Sequence, residues 1–554
     1  MAGIETPIVR FLGGEAGHRG FFGGTTSRTR MVLVGVFVLA GLVLTPLIGW
    51  PGLLIGLGGA GATLLLTART HRGSILERHT KRARWAARRR TGADRYAPFD
   101  ARRRAELEQE LEGARAGRHG GGAQAADAAA RLAGMRGLPD AALGMGWLQS
   151  GRGVPGIQWH HSPAGDPYLA VVFEVSGQLA GMTSTPLMNQ AAEAWGAFLA
   201  SCASPTSLAR EVQVSTRVPP ADSARQEWWV ATGLDPALPT GHPAVSSYAQ
   251  VLAASGADAM VQRHTVTVSW PITAAFRDAA ARYGEGRDGW RALMVQEIAA
   301  ITRGLAEARL GTVEVLTARQ TVAAILHQQN PARPVDLVHD ADPARLGLPS
   351  RDEYSATVTT SEDPAGRPVV WWHRTAAIRA ENLAIAPRRQ LWMLDLLIGS
   401  QLRFIRTVSF HLRLVPAAEA KAQARIDLTR DRAAALSDQE QGRLADADAQ
   451  VQMSAAARRA QDLAAGSRHH GADWVGYITI TAPRRELLAQ ASRQLEDVCA
   501  TGLGIERLEW QDSMQAGASG ATWPIGRGLA QASPSISARL YDHLAGHGDK
   551  EALT

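Results

Sequence analysis

Only two cysteines, Cys202 and Cys499, occur in 554 residues, far apart and each in an apolar helical context. That scarcity excludes a disulfide framework and a CxxC zinc site and fits a reducing compartment; both thiols read as core residues. Lysine is scarcer still for a basic chain. Lys81, Lys421 and Lys550 are the complete set, and none follows a glycine. A P-loop needs Gly-Lys-Ser/Thr because its lysine reaches the β- and γ-phosphates, so ATP binding of that kind is excluded. No G-x-G-x-x-G follows a strand pattern, and no H-E-x-x-H occurs. Charge itself is missing from one stretch: nothing ionisable lies between Arg30 and Arg69.

That uncharged stretch, Met31–Thr67, is too long for one crossing of a bilayer, which takes about 20 apolar residues, and suits two short ones. Gly49-Trp50-Pro51-Gly52 marks the break, because the residue before proline leaves the helical region and glycine supplies turn conformations. The sequence therefore predicts a transmembrane helical hairpin. Arg10, Arg19, Arg28 and Arg30 precede it, and nine Lys/Arg from Arg69 to Arg90 follow it. The positive-inside rule then puts both termini in the cytoplasm and the chain in the plasma membrane with two transmembrane helices.

The formal charge of +7 is unevenly placed. Residues 69–104 carry +10 and residues 1–30 carry +2, which leaves 105–554 at −5. The cationic excess is where anionic lipid would be a partner, at roughly 1 kcal/mol per Lys/Arg near the surface. No second cationic cluster points to a direct nucleic-acid site.

Read in order, residues 1–30 form a short N-terminal cytoplasmic segment, 31–67 the hairpin and 68–150 a basic juxtamembrane helical linker. Residues 151–345 and 346–530 form two cytoplasmic ferredoxin-like α/β lobes of an α+β fold, and 531–554 a tail. In the first lobe, Tyr168–Val175 reads as a strand buried on both faces. Glu211–Val218 and Thr265–Trp270 alternate as half-buried strands, and Thr185–Ala203 and Trp290–Arg309 read as helices. The second lobe opens with a hairpin around Asp363-Pro364-Ala365-Gly366. It continues with a helix over Pro387–Gly399, strands at Phe404–Val415 and Trp474–Ile480, a helix at Glu486–Ala500 and a strand at Ile505–Trp510. Residues 417–466, rich in Ala, Gln, Asp and Arg, predict a long polar helical arm whose apolar residues are too sparse for a core.

Chemistry-bearing groups are few. His119-Gly120-Gly121-Gly122 has the letters of an esterase oxyanion loop, but Gly517-Ala518-Ser519-Gly520 lacks the spacing of a nucleophile elbow. His160-His161 and His469-His470 offer one ligand each and read as solvated loop histidines. Trp228-Trp229 and Trp371-Trp372 read as core-plus-edge strand residues, since no Arg or Lys interleaves them as in a stacking platform. No catalytic, cofactor-binding or metal-binding residue is assigned, and no cofactor is implied.

Three local motifs carry a resemblance. Thr232-Gly233-Leu234-Asp235-Pro236 precedes a helix, Trp474–Thr481 runs into Arg485-Glu486-Leu487-Leu488, and Gln511 leads to Trp523-Pro524-Ile525-Gly526-Arg527-Gly528-Leu529. These resemble an actinomycete family of conserved membrane proteins encoded beside type IV-like secretion or conjugation ATPases. The order of parts is similar to a VirB-type two-helix subunit fused to the non-ATPase half of a VirB/TraC-type ATPase. Trp523 stands where that family has leucine, and about 25 residues follow the last motif, so the motor is expected as a separate chain. The resemblance implies a non-enzymatic, membrane-anchored structural subunit of a type IV-like complex. Its partners would be the inner membrane, a separate VirB/TraC-type ATPase, other membrane subunits of the complex and further copies of itself. A type VII secretion component of the EccE kind is the alternative, and a membrane-tethered enzyme would need a polar constellation not visible in the sequence.

Overall fold

The computed structural model describes residues 9–12, 28–67, 74–116, 121–161, 167–178, 183–422 and 470–528, apart from 236, 240, 257–258, 364, 385, 390 and 399–401, together with 425 and 429. After a short strand β1 (Val9–Leu12), the uncharged run folds as two helices, α1 (Arg28–Ile48) and α2 (Trp50–Thr67). Gly49 turns the chain at φ +76°, a conformation open to glycine. The two backbones then touch: a Cβ built on Gly56 would lie 2.5 Å from Cα of Gly41. The outer sides expose Leu39, Leu47, Leu57 and Leu65.

The expected transmembrane hairpin, and with it a plasma-membrane placement by two transmembrane helices, is corrected by the structure. Among the described residues no helix is long and apolar enough to cross a membrane. Arg28 and Arg30 occupy the first turn of α1 and Pro46 its last, while α2 has only 18 residues, several of them glycine. At 1.5 Å per residue, 18 residues reach about 27 Å, short of the roughly 30 Å of hydrocarbon.

The stretch read as a basic linker does more than link. It supplies α3 (Ile75–Thr91), β2 (Arg95–Pro98), α4 (Ala101–Ala116), α5 (Gly121–Gly134), β3 (Met135–Arg136) and β4 (Met145–Gln149). The first half continues with β5 (Ile157–His160), β6 (Tyr168–Val175), α6 (Thr185–Cys202), β7 (Glu211–Val218), α7 (Ala224–Gly233) and α8 (Pro243–Gly256). It closes with β8 (Arg263–Pro271), α9 (Ala274–Ala281), α10 (Gly286–Glu307), β9 (Val313–Val315) and α11 (Ala318–Gln329). The second half has β10 (Ser350–Glu353), β11 (Ala356–Glu362), β12 (Pro368–Ile378), β13 (Ala386–Arg389), α12 (Leu394–Leu397) and β14 (Ile405–Val415). It ends with β15 (Gly471–Ala482), α13 (Arg485–Thr501), β16 (Glu509–Trp510) and α14 (Gln515–Ser519).

Fourteen of these strands form one mixed sheet in the order β3-β2-β10-β11-β12-β15-β14-β7-β8-β6-β5-β4, with β16 on β12 and β9 on β6. The expectation of two separate ferredoxin-like lobes is therefore corrected to an α/β fold around a continuous sheet. Its two halves repeat one order, β7-β8-β6-β9 and β14-β15-β12-β16, and meet where β7 pairs antiparallel with β14. Left apart, each half would present an unpaired strand edge, and pairing the two edges removes both. The helix expected over Pro387–Gly399 is replaced by β13 and the four-residue α12, because β1 pairs with β13 and places Phe11 opposite Pro387. The polar arm begins as a helix at residues 417–422; residues 430–466 of it, like the tail 531–554 and His119, lie outside the described residues.

One face of the sheet is apolar. Val171, Phe173, Val212, Val266 and Val268 pack under Phe198 of α6 and Met294, Ile298 and Leu305 of α10. Ile478 and Ile480 pack under Leu488, Leu495 and Cys499 of α13, whose spacing of 7 and 4 keeps them on one stripe. Cys202 and Cys499 are free and buried as expected, and burial pushes their thiols up to about 11 and about 12. Arg406 is fully buried on this side without a carboxylate; it donates to the carbonyls of Leu396, Leu402 and Phe404 and so holds the α12–β14 turn.

Helix α3 is tied to this body by a buried ion cluster. Arg88 Nη2 lies 2.9 Å from Asp140 and 2.8 Å from Asp352, whose other oxygen accepts from Ala516 N at 2.7 Å. Burial holds the Asp352 carboxyl up at about 7 against the pull of Arg88. Arg88→Ala is expected to lower stability by about 2 kcal/mol at pH 8, below the usual cost of stranding a buried charge because Asp352 can neutralise itself. At pH 5.5 the loss relative to wild type should shrink. Urea denaturation of both proteins at the two pH values checks this, and a loss that grew on acidification would be inconsistent with it.

Candidate functional site

Strand alternation determines what the other face of the sheet carries. With Val212 and Val214 on the helix side, β7 turns Gln213, Ser215 and Arg217 the other way. With Val408 and Leu412 on the helix side, β14 likewise turns Thr407, Ser409 and His411 away. The register sets Gln213 against His411, Ser215 against Ser409 and Arg217 against Thr407. All six are buried, so each needs a hydrogen-bonding partner to offset desolvation.

They find it in one another and in a covering strap, residues 511–528. Ser215 Oγ and Gln213 Nε2 each donate to Ser409 Oγ at 2.9 Å. Gln213 also donates to Trp523 O at 2.8 Å and accepts from Gly526 N at 2.8 Å. Gln158 on β5 donates to Pro524 O at 2.9 Å. The Tyr168 and Tyr477 hydroxyls donate to Ile525 O at 3.1 Å and to Gly528 O at 2.8 Å. The strap is thus bound from both halves of the sheet. Arg217 donates to Thr407 Oγ1 at 3.0 Å and to His327 O on α11 at 2.9 Å; burial depresses its guanidinium to about 9.

Three histidines on this face are held neutral. His411 Nε2 lies 2.7 Å from Ala521 O, a pure acceptor, so that nitrogen carries the proton. His373 Nε2 meets Thr359 Oγ1 at 2.9 Å; Thr359 gives its own hydrogen to Gln329 O, so His373 Nε2 donates and Nδ1 accepts from Thr481. His160 stacks on Tyr168 with ring centroids 4.3 Å apart and contacts Gln158 Oε1 at 2.9 Å. Burial depresses His160 and His373 to about 3 and His411 to about 4. His160, expected in a solvated loop, is therefore a buried strand residue. His161 is exposed and His469 lies outside the described residues.

Beside the strap, where it leaves the sheet at Gly528, opens a cavity of about 850 Å³. Arg210, Arg413 and Arg527 line it together with Glu211, Glu419 and Asp473. Arg413 pairs with Glu211 at 3.0 Å, while Arg527 donates to the carbonyls of Ala141 and Leu143. Ser409 Oγ and His411 Nε2 approach to 3.3 Å, yet both are buried and the imidazole proton is committed to Ala521 O, so the pair has no route to a substrate. Gly517–Gly520, which lacks the spacing of a nucleophile elbow, forms the end of α14 and the turn after it within the strap. Among the described residues no cluster of three His, Cys, Asp or Glu could hold a metal ion. Trp228 and Trp229 are not strand residues: they project from α7, 54% and 67% exposed. Trp371 and Trp372 do lie on β12.

No family profile and no curated protein matches this chain.

The strap is visible in the sequence as a motif, but what it covers is not. The polar alternation of Gln213-x-Ser215-x-Arg217 and Thr407-x-Ser409-x-His411 was the available signal, and in isolation it reads as a face turned to water.

Proposed function

We propose that this chain is a non-catalytic structural subunit of a type IV-like conjugation or secretion complex, onto which a separate VirB/TraC-type ATPase docks. The observation that carries this reading is the role of the Gln511…Trp523-Pro524-Ile525-Gly526-Arg527-Gly528 signature. The residues that resemble the exit ahead of a motor domain are the ones that bind the two halves of the sheet together. They deliver the chain at Gly528 to the rim of an open, charge-lined cavity. A motor held there would act on both halves at once. The histidines, serines and threonines of the seam support the same reading, because their hydrogen bonds are committed to one another and to strap carbonyls rather than aimed at a ligand.

The test is co-purification. The full chain carrying an affinity tag is co-expressed with the VirB/TraC-type ATPase encoded nearest to it. A stoichiometric complex on size exclusion is expected, weakened at least tenfold by Arg527→Glu at the cavity rim. Failure to recover that ATPase under any detergent or salt condition sinks the reading; recovery of a type VII translocase instead would replace it with the EccE-like alternative.

A further inference from the structure

A second cavity lies on the apolar side of the sheet, across β10–β12 from the strap. It is a groove of about 640 Å³ between the α4–α5 hairpin and strands β10–β12. Its floor is apolar: Leu107, Met135, Val358 and the Tyr96 ring are buried there, while Val370 on the flank is 37% exposed. Every charged residue that lines it is an arginine, namely Arg95, Arg103, Arg131 and Arg351. The strap cavity, by contrast, balances arginines with carboxylates.

Each of the four arginines is met by a carboxylate from outside the groove. Arg95 pairs with Asp127 at 2.8 Å, Arg103 with Glu106 at 2.7 Å, Arg131 with Glu110 at 2.7 Å and Arg351 with Glu353 at 3.1 Å. The arginine side chains in these pairs are 35% to 59% exposed. Solvent-exposed pairs of this kind contribute roughly 0–1 kcal/mol, so exchanging one carboxylate for another is nearly free. An apolar floor ringed by exchangeable guanidinium groups matches a polypeptide with apolar side chains flanked by Asp or Glu. Arginine binds such carboxylates in a planar, bidentate manner. A nucleic-acid strand suits the groove less well, since base stacking needs an open ring face. Tyr96 is 5% exposed and the Arg485 guanidinium already lies over Trp372, 5.9 Å from its centroid.

We infer that the groove between α4–α5 and β10–β12 is a docking site for an acidic, apolar polypeptide segment of a partner protein. The inference rests on the reading of this chain as a subunit of a larger assembly. It assigns a contact distinct from the strap cavity.

The full chain is titrated into a fluorescein-labelled 14-residue peptide with leucines at helical spacing and glutamates on both flanks, read by anisotropy at low salt. The same peptide with glutamine for glutamate should bind at least tenfold more weakly, and raising the salt from low to high should weaken the acidic peptide by a similar factor. Arg131→Ala with Arg351→Ala should cost about tenfold, and Val370→Asp should abolish binding, with thermal melting confirming that each variant is folded. Arg351→Glu, at the most exposed position, repeats the charge test with the least risk to folding. Equal binding of the glutamine peptide, insensitivity to these substitutions, or displacement of the peptide by a dT12 oligonucleotide would each overturn the assignment. If no peptide binds while the ATPase still co-purifies, the groove is excluded and the docking role of the subunit stands.

Discussion

Mild acid is expected to unfold this protein, with the loss of stability steepest between about pH 6 and pH 4. His160, His373 and His411 sit in the folded chain at about 3, 3 and 4, far below the ordinary value of about 6.5 that they regain on unfolding. A histidine with a depressed folded pKa contributes stability that is fully present above 6.5 and is lost as pH falls toward the folded value, because the unfolded chain then binds more protons. Each contributes a slope of up to about 1.4 kcal/mol per pH unit in that window, so the three together approach 4. Asp352, raised to about 7, works in the opposite direction and returns about 1.4 of it. These four groups together give a slope of nearly 3 kcal/mol per unit; burial also lowers His264 and His327, which adds to it, and raises Glu174 and Asp512, which opposes it. A slope of that order would exhaust a typical stability of 5–15 kcal/mol within a few pH units. Urea denaturation at pH 7, 6, 5 and 4.5 gives the slope directly. His411→Gln keeps a donor for Ala521 O without a titrating ring, and should flatten the slope by about half. An unchanged slope in that variant would show that His411 is not held neutral by the strap.

The strap should tolerate no side chain at Gly526. Its φ is +66°, in the left-handed region, and a Cβ built there would lie 2.4 Å from Ser269 Oγ. Ser269 is 1% exposed and sits in β8, so its hydroxyl would have to turn aside within a packed site. A β-branched residue adds the conformational penalty to the overlap, about 1–3 kcal/mol for each. Gly526→Val is therefore expected to cost about 3–5 kcal/mol, lowering the melting temperature by about 3–5 °C in a chain of this length. It should also expose the Tyr168 and Tyr477 hydroxyls, which near-ultraviolet circular dichroism would report. Gly366, also at positive φ but with nothing within 4 Å of its Cβ position, is the control: Gly366→Ala should lose about 1 kcal/mol. Equal effects at the two glycines would mean that the strap is not packed as described.

What the sequence determined by itself is local. Alternation marked β7, the residues of Phe404–Val415 and Glu486–Ala500 marked β14 and α13, and the uncharged run marked a helical hairpin, since each depends only on the pattern or composition of a short segment. Three outcomes needed the tertiary structure. Among the described residues no helix is long and apolar enough to cross a membrane, although the run as a whole had suggested two. Pairing of β7 with β14 merged two lobes into one sheet, a contact between residues nearly 200 positions apart that no local pattern encodes. And whether the polar face of that pair meets water or protein depended on residues 511–528, more than 100 positions further on, folding back across it. Burial is a property of what lies opposite a side chain, and a period of two says only which way the side chain points.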